Sequence, residues 1–270
     1  MRLNGTVGVL TGATGGIGGP LAQCLAECGV RLILAARDPD KLTALADALP
    51  SGSVAGICAG DLADAGAQRA LVQRARADDA AILINLSGGN RFALLNEQTG
   101  DDVRALMSTN LIAPIQLTQA LLPHLQSRSE AMIVNVGSTF GAIGFPGYSL
   151  YCASKFGLRG FSEALARELS DSAVRVVYIA PRATRTRMNS DAASAMNAAL
   201  GNVEDPPQQV ARRILQSMRK SRRRTGIGWP ERGFAALNQL VPSLVDRAIA
   251  RQLPIVRQFA SNPTLEEYTP

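Results

Sequence analysis

Histidine is almost absent from this chain: His124 stands alone among 270 residues. Four cysteines are present, Cys24, Cys28, Cys58 and Cys152, and none falls in the paired spacing of a metal site. That scarcity excludes a zinc centre, and so few thiols over this length make no disulfide framework, so no metal is expected. Free thiols fit a reducing, cytoplasmic setting. Long apolar runs are missing too: no uninterrupted stretch approaches the roughly 18 residues of a membrane span. Residues 1–9 lack the basic head and apolar run of a targeting signal. The chain reads as soluble, or at most peripheral to a membrane, and it carries no internal repeat and no low-complexity tract.

Charge is unevenly spread. The net charge is +6, yet the stretch from Pro206 to Thr225 holds seven of the 28 basic residues and none of the 22 acidic ones. The remainder is close to balanced, so a general nucleic-acid-binding surface is not indicated. The basic stretch has no interleaved aromatics, which also speaks against single-stranded nucleic acid.

What the sequence does contain is alternation. Short β-prone apolar runs (7–10, 31–35, 54–58, 82–86, 132–136 and 174–179) are separated by amphipathic segments such as 18–28, 41–49 and 67–77. Strands buried on both faces and joined by crossover helices predict a doubly wound parallel α/β sheet of the Rossmann type, with its ligand site beyond the carboxyl ends of the strands. One core of this size suits a single domain followed by a tail. The segment 190–205, rich in small residues, reads as a mobile lid or a short solvent-facing helix. Pro206 and Pro207 open a helix with Val210, Ile214, Leu215 and Met218 on one face.

Thr11-Gly12-Ala13-Thr14-Gly15-Gly16-Ile17-Gly18 follows the first strand and opens the first helix. Glycines permit a tight turn and close approach of a pyrophosphate, and the helix N-terminus offers unpaired N–H groups. Thr11, Gly12, Thr14, Gly16, Ile17 and Gly18 are therefore candidate contacts to a dinucleotide. At the end of the second strand, Ala35-Ala36-Arg37-Asp38 offers Arg37 to a 2′-phosphate and no carboxylate at Ala36, which favours NADP(H). Asp38 keeps NAD(H) open.

Tyr151-Cys152-Ala153-Ser154-Lys155 puts a phenol and an ammonium on the same side of one helix. The spacing alone also fits a surface face with a snorkelling lysine. As a reactive pair, the ammonium is expected to favour the phenolate and lower the Tyr151 pKa, allowing the phenol to protonate an alkoxide.

Over residues 3–228 the chain resembles the short-chain dehydrogenase/reductase family. The resemblance is carried by the glycine turn Thr11 to Gly18, by Tyr151 to Lys155, by Ser138 thirteen residues before that tyrosine, and by Asn110 in Ser108-Thr109-Asn110-Leu111. It implies a catalytic domain over 1–228 and an amphipathic helical extension over 229–270. It also implies a division of labour: Tyr151 donates the proton, Ser138 holds the carbonyl oxygen, Lys155 acts on Tyr151 and on the nicotinamide ribose, and Asn110 kinks its helix and positions water. The cofactor contacts implied are Asp61 and Leu62 at adenine, Asn85 and Gly88 at the fourth strand, Tyr151 and Lys155, and Pro181, Thr184 and Thr186 in the loop over nicotinamide. Ser138, Tyr151 and Tyr148 would meet substrate, with plain packing as the other reading of Tyr148. A nucleotide-binding regulator without turnover is the alternative from outside enzymology, and the intact quartet speaks against it.

Three departures stand out. The family's Asn-Asn-Ala-Gly is Asn85-Leu86-Ser87-Gly88, which puts local rigidity in question; its Pro-Gly is Pro181-Arg182; and a long extension follows residue 228. Phe234, Leu237, Leu240 and Val241, then Leu244, Val245, Ala248 and Ile249, form apolar faces beside Arg247 and Arg251. They suit docking on the core, a contact in a homodimer or higher homo-oligomer, or a membrane surface. Arg182, Arg185 and Arg187, with Arg212 and Arg213, suggest attraction of an acidic carrier, hence 3-oxoacyl groups on acyl carrier protein or coenzyme A. A lipid or steroid-like alcohol or ketone is the second substrate reading.

Overall fold

The computed structural model describes residues 2–220, 224–227, 233–234, 237–238 and 240–260. The expected domain boundary at 228/229 lies outside these residues. Seven strands, β1 (Val7–Thr11), β2 (Arg31–Ala36), β3 (Val54–Ala59), β4 (Ile82–Asn85), β5 (Ala131–Val136), β6 (Val174–Ala180) and β7 (Arg224–Gly226), form one sheet in the order β3-β2-β1-β4-β5-β6-β7. Every pairing is parallel.

The two-residue period of each strand divides its side chains between two cores. Leu32, Leu34, Ile82, Ile84, Met132 and Val134 face one layer, where α1 (Gly18–Glu27), α2 (Pro39–Ala48) and α8 (Pro207–Arg219) contribute Leu21, Leu42 and Ile214. Ile33, Leu83 and Ile133 face the other, under α3 (Ala65–Ala77), α5 (Ala113–Gln126) and α6 (Ser149–Glu168), which contribute Leu71, Leu117 and Leu165. Local chemistry sets the helix starts: Asp38 caps α2 ahead of Pro39, and Asp64 caps α3. A capping box of Thr99 and Asp102 opens α4 (Gly100–Met107).

Strand order reverses between β1 and β4, and parallel α/β sheets open a crevice at such a switch point. Across it α4 and α5 are joined by a π-helical turn, Ser108–Ile112, that holds Asn110. A π-turn of this kind bends the helix and turns one side chain inward.

The 190–205 segment differs from the lid or solvent-facing helix expected for it. Residues Asp191–Ala199 form α7, capped by Ser190, with Ala192, Ala193, Met196 and Asn197 buried. Its small residues are a packing surface, against which α10 (Leu253–Ala260) lies. Of the extension, α9 (Pro242–Ala250) and α10 bury Val245 and Val256, whereas Leu240 and Leu244 stay exposed. Among the described residues no helix is long and apolar enough to cross a membrane.

Candidate active site

A cleft of about 410 Å³ runs along the switch point, from the glycine turn to the start of α6 and on to α9. At one end, Gly12, Gly15, Gly16, Ile17 and Gly18 line it. Gly12 has φ +66°, and a Cβ there would press within 2.9 Å of the Ser87 backbone. A Cβ on Gly16 would collide with Thr186, and one on Gly18 with the carbonyls of Gly12 and Ala13. The turn therefore needs glycine for close packing as well as for access. Helix α1 starts with no side-chain cap and no acidic residue in its first turn, which leaves its N-terminus to an anion. These features fit the pyrophosphate of a dinucleotide.

Several residues expected at the cofactor serve the scaffold instead. The Thr11 hydroxyl is buried, donates to Ile84 O (3.3 Å) and accepts from the Leu86 and Ser87 N–H groups (3.0 and 3.1 Å). It ties β1 to β4 and is not part of the cleft wall. The Asn85 amide is likewise internal, donating to Thr118 Oγ1 (3.2 Å) and Asn135 Oδ1 (2.8 Å), while Asn135 donates to Ser162 (2.8 Å). These ties hold the loop whose second asparagine is missing. Thr14, Arg37, Asp61 and Leu62 lie outside the cleft wall, Arg37 exposed just beyond the end of β2. Asp61 Oδ1 accepts from Ala63 N (2.9 Å), and Leu62 packs on the core. Gly88, Pro181, Thr184 and Thr186 line the cleft. The Thr184 hydroxyl is turned to Arg182 O (3.0 Å).

Ser138, Tyr151 and Lys155 all line the cleft. Ser138 follows β5 by two residues and caps the short turn Thr139–Gly141, where its Oγ accepts from Phe140 N (3.2 Å), and its side chain lies close enough to the Tyr151 phenol to favour the phenolate. Tyr178, whose role the sequence does not signal, lies behind them: its hydroxyl donates to Ser138 O (3.4 Å), and Gly137 and Gly141 leave room for its ring. Lys155 is buried, 3.4 Å from Val136 O and 5.7 Å from the Tyr151 ring centroid. Asn110 is near but turned aside. Its Oδ1 accepts from Gly89 N (2.8 Å), and its Nδ2 donates to Gly89 O (3.0 Å) and to Ser154 Oγ (3.1 Å). It holds the Gly88–Gly89 backbone beside Lys155 and is a positioning residue rather than one whose side chain reaches the cleft.

The expected lowering of the Tyr151 pKa does not hold. Burial pushes the phenol up to about 12, only partly offset by the Ser138 side chain. Desolvation outweighs the lysine because Lys155 stands off toward the ring face and is itself pulled down, to about 8, by burial. At neutral pH the phenol thus holds its proton, which is the form needed in an acid.

The Lys155 shift carries a stability prediction. An unfolded lysine titrates near 10.5, so below pH 8 folding buries a full charge; the penalty is complete at pH 7 and is relieved as pH rises from about 8 to 10.5. Lys155→Met is expected to raise the melting temperature of the cofactor-free protein at pH 7 by roughly 3–8 °C, about 1–3 kcal/mol, while oxidoreductase turnover is lost. Calorimetry at pH 7 and pH 10 checks it, the gain shrinking at the higher pH.

The far end of the cleft is aromatic, with Phe140, Phe145, Tyr148, Val203, Phe234 and Ile249 on its walls. Tyr148 is buried against Phe92 and Phe140, both 5.1 Å away between ring centroids. Arg182, expected at the entrance as a free charge, instead pairs with the buried Asp205 at 2.7 Å. It is not among the positive-φ residues, so the loop accepts it where the family has glycine. Arg185 and Arg187 are exposed, as are Arg212 and Arg213 on the outer face of α8.

The family model described as short chain dehydrogenase matches residues 6–197. Among curated relatives, dehydrogenase/reductase SDR family member 7B of Bos taurus is 30% identical over 260 residues, covering 90% of this chain and 79% of the relative. The 3-oxoacyl-[acyl-carrier-protein] reductase FabG of Escherichia coli (strain K12) is 29% identical over 190 residues, 70% of this chain and 77% of that one. A solved short-chain dehydrogenase from Burkholderia cenocepacia J2315, in complex with NADP, superposes with a TM-score of 0.79 at 22% identity, over 92% of this chain and 99% of that one. The chain belongs to the short-chain dehydrogenase family. It is an NAD(P)-dependent oxidoreductase with one parallel doubly wound sheet.

Proposed function

We propose that the protein reduces a ketone to a secondary alcohol with NADPH, the observation carrying this being the convergence of Ser138, Tyr151 and Lys155 in one cleft with the glycine turn. When bound, the cofactor supplies hydride to the carbonyl carbon. Gly12 to Gly18 would hold its pyrophosphate, Thr186 and Pro181 its nicotinamide end, and Lys155 its ribose. Tyr151 gives a proton to the carbonyl oxygen, and Ser138, beside it in the cleft, orients that oxygen. The cofactor preference follows from charge. Arg37 is free, whereas the Asp38 carboxylate is engaged by Lys41 N (3.0 Å) and Lys41 Nζ (2.8 Å), which hold its pKa below the usual range.

For the substrate, 3-oxoacyl thioesters are the leading class, supported by the likeness to the 3-oxoacyl reductase and by the exposed Arg185 and Arg187. The aromatic cleft wall also favours a second reading, a lipid or steroid-like ketone or alcohol. NADPH oxidation against 3-oxoacyl thioesters, aliphatic ketones and steroid ketones, with NADH in parallel, tests the reading. Turnover with NADPH and at least one ketone is expected. Thioesters reduced no faster than aliphatic ketones of equal length exclude the carrier-bound substrate.

A further inference from the structure

Arg182 stands where the family has glycine, and the reaction as described leaves it without a role. Its Nη2 donates to Oδ1 of the buried Asp205 at 2.7 Å, a contact that a glycine could not make. The two backbones run alongside: Asp205 N donates to Ala183 O (2.9 Å) and Arg185 N to Asp205 O (3.1 Å), a short parallel bridge between Thr184 and Asp205. Beside it, Glu204 Oε1 accepts from Asn189 Nδ2 (3.3 Å) and from Asn197 Nδ2 on α7 (3.0 Å). One side of this seam is rigid. Pro206 and Pro207, each with a fixed φ, lead at once into α8, whose Val210 and Ile214 are fully buried in the core. The other side is a loop with no helix or strand between Pro181 and Ser190, exposed at Arg185 and Arg187. That loop reaches across the cleft to the glycine turn, where the Thr186 side chain fills the space that a Cβ on Gly16 would need.

We propose that Glu204 and Asp205 form a clasp that fixes the loop 182–189 over the glycine turn before cofactor arrives, and that they are positioning residues for Thr186. Neither lines the cleft itself, so both act through the loop. An exposed loop that closes only on a ligand loses conformational freedom at that moment, and the loss is subtracted from affinity. Where tertiary bonds hold the loop beforehand, the closed form is already populated; where they are cut, apparent affinity falls in proportion to the fraction still closed. Charge matters at one half of the clasp only. Asp205 is held by an ion pair, whereas Glu204 accepts from two neutral amides, so an uncharged acceptor serves at 204 and not at 205. The inference rests on Pro181 and Thr186 holding the nicotinamide end, and it adds what holds them.

Limited trypsin digestion of the cofactor-free full chain, with the cut sites read by mass spectrometry, tests the clasp alongside fluorescence titration with NADPH and NADH. In Asp205→Asn and in Glu204→Ala, cleavage after Arg185 and Arg187 is expected to quicken about tenfold, while cleavage after the exposed Arg69 on α3 stays as in wild type. The Kd for the cofactor rises about tenfold in both variants, with the binding stoichiometry unchanged. Glu204→Gln, which keeps the acceptor, is expected to match wild type in both measurements. Unchanged loop cleavage in Asp205→Asn and Glu204→Ala overturns the clasp, and so does faster cleavage with an unchanged Kd. Cleavage that rises equally after Arg69 marks general unfolding and reduces Glu204 and Asp205 to ordinary stabilising residues, which also overturns it. The digestion needs no cofactor and so stands apart from the reductase reading: wild type that binds neither NADPH nor NADH overturns that reading, and loop cleavage still decides the clasp.

Discussion

Tyr151→Phe is expected to lower kcat for ketone reduction by about 10³-fold, within the range a positioned general acid contributes, while NADPH still binds. The substitution removes one oxygen from a half-buried ring and leaves the glycine turn and Lys155 untouched. Stopped-flow or steady-state NADPH oxidation measures the rate, and fluorescence titration of NADPH measures binding. Retained turnover would remove Tyr151 as the acid. The pH dependence has a defined sign. Because the phenol's pKa is raised to about 12, it stays protonated throughout the neutral range, so ketone reduction should not fall between pH 6 and 9 on account of this group. Alcohol oxidation, which needs the phenolate as base, should climb with pH across the same interval. A reduction rate that drops tenfold per pH unit above neutrality would mean that Tyr151 titrates far below the value its burial dictates.

The second large effect concerns Arg37. Arg37→Glu is expected to lower kcat/KM with NADPH by about 10²–10³-fold and to invert the preference toward NADH, since charge-assisted bonds to a phosphate are lost and a like charge takes their place. The kcat with saturating cofactor should change little, because Arg37 lies outside the cleft that holds Tyr151. Because Arg37 is exposed, the NADPH preference proposed for wild type is expected to fall with salt. Asp38 cannot readily take over at the ribose: it caps α2 and is joined to Lys41 on both its backbone and its side chain. Equal cofactor preference in wild type and Arg37→Glu would place the 2′-phosphate elsewhere.

The alternating strands and helices, the glycine turn and the order of Asn110, Ser138, Tyr151 and Lys155 were all legible in the linear chain. The reason is that each is a local signal. A strand buried on both faces is a short apolar run; a turn that admits a pyrophosphate demands glycine at set positions; and residues four apart on a helix share a face.

Which way a side chain points from such positions is another matter, because it depends on what the fold brings opposite. Thr11 sits in the motif yet faces β4, and Asn110 is clamped by Gly89 from 21 residues away. Arg182 looks like a free charge until Asp205 closes on it. The Tyr151 pKa follows the same rule: sequence shows the neighbouring ammonium but not the desolvation that outweighs it. The glycine turn and the strand periodicity therefore specified the fold class, and the family resemblance carried by Asn110, Ser138, Tyr151 and Lys155 implied the reaction type. Packing across the switch point decided which of those residues reach the cleft, and it set Tyr178 behind Ser138, a contact between residues 40 positions apart that only chain folding creates.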